Sequence, residues 1–349
     1  MKTEHILVIR FSAMGDVAMT VPVVHALATT YPNVRITVLS RDFARPFFEH
    51  LPDNVGFMEA DVKSEYHGIR GLNKLYRRLA AKHFTAVADL HGVLRTEYLR
   101  MLFVMAHVRV AHIDKHRDGK HRLCSQKHKQ LVQQPTSFEN YADVFARLGY
   151  PVRPTFTSIF PQGGGDLSLL PPSIGLKPAG QAWIGVSPFA AHQGKVYPPG
   201  QMKEVLALLR RQHPDSRLLV FGAFGADADV VAEWQRDVEG VENVSQMLGG
   251  LRQELILISH LDVMLSMDSA NMHLASLCHV PVVSVWGATH PYAGFLGWGQ
   301  QMDDVVQRDM PCRPCSVYGN RPCQRGDWAC MTGIRPEEIC RKVSKRIGK

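Results

Sequence analysis

The stretch LSMDSANMHLASLCHVPVVSVWGATHP, residues 265–291, predicts a strand, a helix and a second strand in close succession. Its apolar start and its Val-rich end are typical of buried strands, and the segment between them has helical spacing. The first strand breaks at Asp268 and Ser269, and the second ends near Gly287 and Thr289. Strand, helix, strand is the unit of a parallel sheet with right-handed crossovers. Ligands bind beyond the carboxyl ends of such strands, so the polar residues there are candidates for a site.

The same alternation extends through the rest of the chain. Besides the two strands of that stretch, at 262–268 and 280–287, apolar runs predict strands at 5–11, 35–40, 55–60, 85–92, 108–113, 182–188 and 217–223, with helices near 199–213 and 227–238. Residues 150–180 are instead dense in Pro and Gly, which is typical of a linker. The sequence thus predicts two α/β domains, 1–160 and 182–349, joined by a linker at 161–181. A ligand cleft is expected between them.

Length and composition point to a soluble globular protein. The 349 residues are too many for one ordinary core, and the 45% hydrophobic and 21% charged residues are typical of soluble domains. The sequence has no run of about 18 apolar residues that would predict a membrane span. The N-terminal MKTEHILVIRF enters a strand too directly for a signal peptide. We therefore expect a cytoplasmic protein.

The net charge of +8 is unevenly distributed. Residues 1–160 contain 22 Lys and Arg against 14 Asp and Glu, whereas residues 161–349 contain 18 of each class. A basic half favours an anionic partner, such as nucleic acid, acidic lipid or a phosphorylated substrate. A solvated basic surface without a partner is the alternative.

The first predicted strand is followed by RFSAMGDVAMTVP, residues 10–22. Ser12 and Gly15 predict a short turn, and Asp16 stands at the start of a helix. Asp16 could cap that helix, a role worth about 1 kcal/mol, or could act as a general base at the edge of the sheet. The stretch lacks the G-x-G-x-x-G pattern, so it does not predict a dinucleotide site.

Further candidates follow the strands of the second domain. Lys195 lies in a Gly-containing loop after the strand that ends near Ser187, where it suits a diphosphate or is simply solvated. Gly222 would let a nucleotide approach the backbone.

The helix that begins after Asp268 offers the best phosphate site in the sequence. Asp268, Ser269 and Ala270 would present donors at a helix N-terminus, where a phosphate is favoured. His273 lies one turn later on the side of Ser269. The alternative for His273 is a histidine satisfied by its local contacts.

These motifs, in this order, resemble glycosyltransferase family 9, which includes ADP-heptose–lipopolysaccharide heptosyltransferases. The pattern Asp-Ser-Ala-x-x-His-x-Ala-Ser from Asp268, the Gly-x-Thr-x-Pro from Gly287, RFSAMGDVAMTVP and ADLHGVLRT (88–96) are similar to the family's motifs. The resemblance implies a GT-B fold, two Rossmann-like domains with parallel sheets facing a central cleft. It implies Asp16 as the catalytic base. The implied donor-binding residues are Ser12, Gly15, Ser187, Lys195, Gly222, Asp268, Ser269, Ala270 and His273.

An acceptor site is expected on the first domain. The segment 112–130 has no apolar period, and its Asp118-Gly119 pair is typical of a turn, so we interpret it as a mobile basic loop over the acceptor. The candidate acceptor-binding residues are Lys115, Arg117, Lys120 and Arg122 of this loop, and His91 and Arg95 of the ADLHGVLRT motif. An acceptor that bears phosphates or acidic sugars would lie on an anionic membrane.

Four cysteines, Cys312, Cys315, Cys323 and Cys330, cluster in a Cys-rich segment at 312–330 of the second domain. Their spacing is workable for a tetrahedral structural zinc or iron, and a reducing cytoplasm favours a metal over disulfides. Reduced or partly paired cysteines that pack a loop are the alternative.

The resemblance therefore implies an inverting, metal-independent transferase without a catalytic cofactor. It would move heptose or a related sugar from an ADP-sugar to a lipopolysaccharide core or similar anionic glycolipid. We expect it in the cytoplasm, peripheral on the inner face of the cytoplasmic membrane, with no nucleic acid as partner. The alternatives are a sugar-nucleotide epimerase of the same architecture, a basic nucleic-acid-binding protein with a zinc-stabilised tail, and a catalytically silent nucleotide-binding homologue.

Overall fold

The computed structural model describes residues 4–160 and 163–347. They form two compact units. The first contains the chain up to Lys115 together with Pro135–Ile159, and the second contains His116–Gln134 and the chain from Phe160 onward. The sequence predicts that all of 1–160 belongs to one domain. His116–Gln134 belongs instead to the second unit.

Both units are built from parallel strands that alternate with helices. The strands are β1 (His5–Ile9), β2 (Arg35–Ser40), β3 (Val55–Glu59), β4 (Ala86–Asp89), β5 (Arg109–His112), β6 (Trp183–Ser187), β7 (Arg217–Val220), β8 (Val241–Asn243), β9 (Val263–Met267), β10 (Val282–Trp286) and β11 (Val305–Gln307). The helices are α1 (Met14–Ala18), α2 (Val21–Thr30), α3 (Gly68–Ala80), α4 (Leu94–Met105), α5 (Arg117–Leu123), α6 (Ser137–Arg147), α7 (Pro199–Gln212), α8 (Ala226–Asp237), α9 (Leu251–Ile258), α10 (Ala270–Leu277), α11 (Ala329–Thr332) and α12 (Pro336–Ser344).

The sheet of each unit reverses its strand order once. The described strands of the first unit pair in the order β3-β2-β1-β4-β5, and those of the second in the order β11-β10-β9-β6-β7-β8. Each of these pairs is parallel. The order reverses between β1 and β4 and between β6 and β9. Ligand sites of open α/β sheets lie at such reversals.

The central strands are buried on both faces because helices cover the two sides of each sheet. All five residues of β1, β6, β9 and β10 are buried. Their continuous apolar runs, rather than an alternating pattern, follow from this double burial. Only the strand ends are free to carry polar side chains toward a ligand.

The basic segment 116–134 is folded against the second unit. It contains α5, in which Lys120 and Leu123 are buried, and the Lys120 ammonium lies 4.4 Å from the centroid of the Phe295 ring. Lys129 Nζ donates to the Pro314 carbonyl oxygen at 2.8 Å. The interpretation of Asp118-Gly119 as a turn is therefore wrong, because both residues lie inside α5 and its packing outweighs the local turn signal.

This segment changes the distribution of charge between the units. It carries five Lys and Arg residues against one Asp, a net charge of +4. With it, the second unit has 23 basic and 19 acidic residues and the first has 17 and 13, so each carries +4. The basic excess of the N-terminal half is thus not an excess of one folded unit.

The described residues include no helix that is both long enough and apolar enough to cross a membrane.

Candidate active site

The first candidate site lies where β1 and β4 end side by side. These strands are paired in parallel from Ile6 with Ala86 to Ile9 with Asp89, so the residues that follow Ile9 and Asp89 emerge at one edge of the sheet. Ser12 Oγ lies 3.4 Å from His91 Nε2 across this edge. The motifs that contain Asp16 and His91 are therefore neighbours in space although they lie far apart in sequence.

The Asp16 carboxylate is held at this edge by the Ala13 backbone and by Arg10. Its Oδ2 atom accepts a hydrogen bond from the Ala13 backbone N–H at 3.1 Å and forms an ion pair with Arg10 Nη2 at 2.7 Å. Arg10 is nearly buried, whereas 32% of the Asp16 side chain is exposed. Asp16 thus caps α1 and still reaches solvent. A neighbouring cation favours the ionised form of a carboxylate, which is the form that a general base needs.

Asp89 organises the turn that carries His91. The buried Asp89 accepts from the backbone N–H groups of His91 and Gly92 at 2.9 and 3.0 Å, and forms an ion pair with Arg100 at 3.1 Å. Lys115 Nζ donates to the Gly92 carbonyl oxygen at 3.0 Å. His91 is thereby fixed at the edge of the sheet.

The His91 imidazole is buried and neutral. Its burial, together with Arg10 and Lys115, lowers its pKa to about 3. Nδ1 is buried and makes no hydrogen bond to any described part of the chain. A neutral ring with an unused nitrogen can donate to or accept from a bound hydroxyl group, depending on its tautomer.

We predict that His91 makes stability depend on acid pH. Its folded pKa lies below the unfolded value, so the unfolded chain binds more protons below pH 6.5 and stability falls there, by roughly 1.4 kcal/mol per pH unit. Melting temperatures of the His91→Gln variant should fall less between pH 6.5 and 5 than those of the unsubstituted protein. His128→Gln, which removes an exposed histidine, is the control. Equal slopes for all three proteins would contradict this assignment.

The second candidate site lies where β6 and β9 end side by side. The loop after β6 carries Lys195, and β9 leads into Asp268. Lys195 Nζ forms an ion pair with Asp268 Oδ2 at 3.0 Å, and Thr289 Oγ1 donates to the same oxygen at 2.8 Å. The ends of the adjacent strands β6, β9 and β10 thus meet at the largely buried carboxylate of Asp268, which orients the Lys195 ammonium.

A second cluster at this edge joins Ser187, Asn271 and Gly222. Asn271 Nδ2 donates to Ser187 Oγ at 2.9 Å. Gly222 has a φ of +77°, and a Cβ there would lie 3.5 Å from Asn271 Nδ2. Glycine adopts this conformation without strain and leaves the backbone open to a ligand.

The N-terminus of α10 lies beside both clusters. Ser269 is its N-cap, but its side chain makes no capping hydrogen bond, and Ser269 Oγ lies 3.2 Å from Ser266 Oγ. Ala270 begins the helix, and His273 is buried in its second turn. Backbone N–H groups at such an uncapped start favour an anion.

The remaining predicted residues are more dispersed. Ser12 and Gly15, expected to bind the donor, belong to the first unit, where Gly15 is buried in α1. Arg95 is half-buried in the first turn of α4. Arg117 and Arg122 are exposed on α5 in the second unit. Lys120 is buried against Phe295, so its ammonium is not an exposed contact for an acceptor.

Residues of the Cys-rich segment contact the second candidate site. The buried Arg313 donates to the carbonyl oxygens of Gly287 and Thr289. Gly319, at a φ of +77°, lies so close to Lys195 that a Cβ there would come within 2.7 Å of Lys195 Cγ. The Cys-rich segment therefore helps to position Lys195 and Thr289. From the sequence it is predicted only as a metal site.

The four clustered cysteines line one small cavity of about 20 Å³. Even so, across residues 4–160 and 163–347 no three His, Cys, Asp or Glu side chains are placed to hold one metal ion. Burial raises the pKa of Cys330 to about 11 and also raises that of Cys315. These thiols are packed in the loop, which does not support the predicted structural metal.

The second unit also contains an Asp-x-Asp pair, at Asp227 and Asp229 in the first turn of α8. Residues two apart on a helix point in different directions, so the two carboxylates do not face a common ion. They suit the positive end of the helix dipole instead.

Comparison with known proteins finds a matching family model and a similar curated protein. The model of glycosyltransferase family 9 (heptosyltransferase) matches residues 72–323. Lipopolysaccharide heptosyltransferase 3 of Escherichia coli is 24% identical over 314 residues, which cover 86% of this chain and 88% of that protein.

Two solved structures share the fold. The family 9 glycosyltransferase of Veillonella parvula is 18% identical with a TM-score of 0.72, covering 99% of this chain and 97% of its own. An E. coli heptosyltransferase solved with ADP is 17% identical with a TM-score of 0.66, covering 98% of this chain and 99% of its own. The predicted GT-B fold is confirmed. The chain belongs to glycosyltransferase family 9, the heptosyltransferase family.

Proposed function

We propose that this protein transfers a heptose, or a related sugar, from an ADP-sugar to a lipopolysaccharide core or a similar glycolipid. Two relatives support the choice of substrates: one is an E. coli lipopolysaccharide heptosyltransferase, and another was solved with ADP. A glycolipid acceptor further implies a peripheral position on the inner face of the cytoplasmic membrane.

The observation that carries the proposal is the Asp16 carboxylate. It stands at the switch point of the first sheet, fixed by Arg10 at 2.7 Å and still 32% exposed. A cap alone requires no buried guanidinium behind it. A carboxylate that is oriented and accessible is suited to take a proton from a bound hydroxyl group.

In the proposed step, an acceptor hydroxyl oxygen attacks the anomeric carbon of the sugar. The new C–O bond forms as the bond to the diphosphate breaks, and the diphosphate leaves with the bonding electrons. The hydroxyl proton passes to Asp16. One displacement inverts the configuration at the anomeric carbon.

The second unit is proposed to hold the ADP-sugar. Lys195 and the backbone N–H groups at the start of α10 would stabilise the negative charge that grows on the leaving diphosphate. Fixed donors are most effective where charge develops. Asp268 would not contact the diphosphate itself, since like charges repel; it holds Lys195 and Thr289 in place. This scheme uses no metal ion and no catalytic cofactor.

The first unit is proposed to hold the acceptor near His91, Arg95 and Lys115. His91 supplies a neutral hydrogen-bonding group, and the two cations suit phosphates or acidic sugars. Arg117 and Arg122, on the second unit, are further candidate contacts.

Turnover with defined substrates tests this function. The protein is incubated with ADP-heptose, ADP-glucose and UDP-sugars, each with and without a deacylated lipopolysaccharide core, and products are identified by mass spectrometry. We expect the core to gain one heptose from ADP-heptose. Conversion of a sugar nucleotide without any core would instead indicate an epimerase, and the absence of turnover with all donors would contradict the proposal.

A further inference from the structure

Helix α4 carries an exposed apolar stripe. Leu94, Met101, Val104 and Met105 fall on one face at helical spacing, and Leu94 and Met105 are 85% and 69% exposed. Glu97, which is exposed, lies within this stripe, between Leu94 and Met101 along the helix. Large apolar side chains that are grouped on a surface indicate an interaction site.

Helix α3 presents a basic face. It buries Gly71, Leu72, Leu75 and Leu79, and on the opposite side it exposes Arg70, Lys74 and Arg77. Lys74 forms an exposed ion pair with Glu65 at 2.9 Å, which contributes little stability. Such amphipathic helices with basic polar faces are common at membrane surfaces.

The two helices pack side by side, so the stripe and the basic face belong to one surface. Tyr98 Oη donates to Asn73 Oδ1 at 3.0 Å, and the Tyr76 and Phe103 rings lie 5.1 Å apart. Ile69, which is also exposed, lies on the side of α3 that faces α4. We call these exposed residues, Ile69, Arg70, Lys74, Arg77, Leu94, Met101, Val104 and Met105, the α3–α4 face.

We propose that the α3–α4 face docks on an anionic lipid bilayer, a step that rests on the proposed function because a glycolipid acceptor is held in a membrane. The apolar stripe would enter the headgroup region while the three cations contact acidic headgroups. This attributes membrane contact to α3 and α4 rather than to segment 116–134.

The position of the face relative to the candidate site favours this occupant. Helices α3 and α4 follow β3 and β4, so Ile69 and Leu94 lie toward the carboxyl edge of the sheet, where Asp16 and His91 are found. Docking would bring that edge near the lipid. A second copy of the chain is the rival occupant, but a two-fold contact would bring like-charged basic faces together.

Vesicle binding tests the proposal with the full-length protein and without substrates. Phosphatidylglycerol–phosphatidylethanolamine vesicles should bind it, and phosphatidylcholine vesicles should not. The charge variant R70Q/K74Q/R77Q should bind on the order of 100-fold more weakly. The apolar variant M101Q/V104Q/M105Q should bind at least about tenfold more weakly. Raising the salt concentration should weaken the unsubstituted protein more than the charge variant.

A matched variant separates the face from net charge. R211Q/R236Q/R341Q removes three exposed cations of the second unit and should leave vesicle binding within about twofold. An equal loss in this variant would overturn the proposal, and so would a dimer that the apolar variant abolishes in ultracentrifugation. Unchanged melting temperatures verify that the variants fold.

Transfer to a soluble deacylated core is measured in parallel. If the charge and apolar variants lose vesicle binding but keep this transfer, the α3–α4 face is the membrane-docking surface and the proposed function stands. If the unsubstituted protein binds vesicles but transfers no sugar from any donor, the proposed function fails and the assignment of the α3–α4 face as a docking surface stands. Transfer without any binding to anionic vesicles by the unsubstituted protein would overturn the face alone.

Discussion

Replacing Asp16 with Asn should lower kcat by about 10²- to 10⁴-fold, the usual contribution of a general base. Asn keeps an oxygen that can accept from the Ala13 N–H, so most of the cap should survive. ADP affinity, measured by calorimetry, should change little, because the donor is proposed to bind the second unit. Transfer to a deacylated core provides the rate.

The control for the cap is Glu139 of α6, which, like Asp16, accepts from the backbone N–H of its helix's N-cap residue, here Thr136, at 2.7 Å. Glu139→Gln should cost no more than about 1 kcal/mol and leave kcat unchanged. If Asp16→Asn loses similar stability and retains near-normal turnover, Asp16 is only a cap and the proposed mechanism is wrong.

The central strands were predictable because double burial leaves a strong signal. The run at 35–40 matches β2 (Arg35–Ser40), and the runs at 182–188 and 262–268 differ from β6 and β9 by one residue at each end. The sequence pattern does not predict strands β8 and β11. Both are three-residue edge strands with a polar member, too short to establish a period.

Segment 116–134 shows where local signals fail. Its charges and its Asp-Gly pair are typical of a loop, yet Lys120 and Leu123 are buried in the second unit. No feature within the segment reveals that surface, since the contact residues Phe295 and Pro314 lie far along the chain. The charge asymmetry read from the sequence was misleading for the same reason.

The candidate site was half predictable. Asp16, Lys195 and Asp268 follow apolar runs, and strand ends are where parallel sheets carry function. Their partners Arg10 and Thr289 were not assigned roles, because strand order decides which ends meet. An Arg directly after a buried strand, as Arg10 is after β1, is a sequence signal for such a partner. No sequence pattern indicates a role for Arg313, because its contacts depend on the fold of the Cys-rich segment.

The Lys195–Asp268 pair should behave as one unit in catalysis. Lys195→Ala should lower kcat/KM for the ADP-sugar by about 10²- to 10³-fold, with part of the loss in kcat, because charge on the diphosphate grows in the transition state. Asp268→Asn should also impair turnover, since Asp268 holds the Lys195 ammonium at 3.0 Å and the Thr289 hydroxyl at 2.8 Å. Steady-state kinetics of both variants and of the double variant provide the measurement.

The double variant distinguishes a positioning role from two independent ones. If Asp268 acts through Lys195, the double variant should lose little more kcat/KM than Lys195→Ala alone. If the two residues act independently, the fold-losses of the single variants should multiply. Lys177 pairs with Asp262 at 2.7 Å in the same unit and supplies the control. Lys177→Ala should change stability slightly and leave donor kinetics intact. Multiplicative losses would show that Asp268 has a role of its own, and unchanged kinetics in Lys195→Ala would remove Lys195 from the donor site.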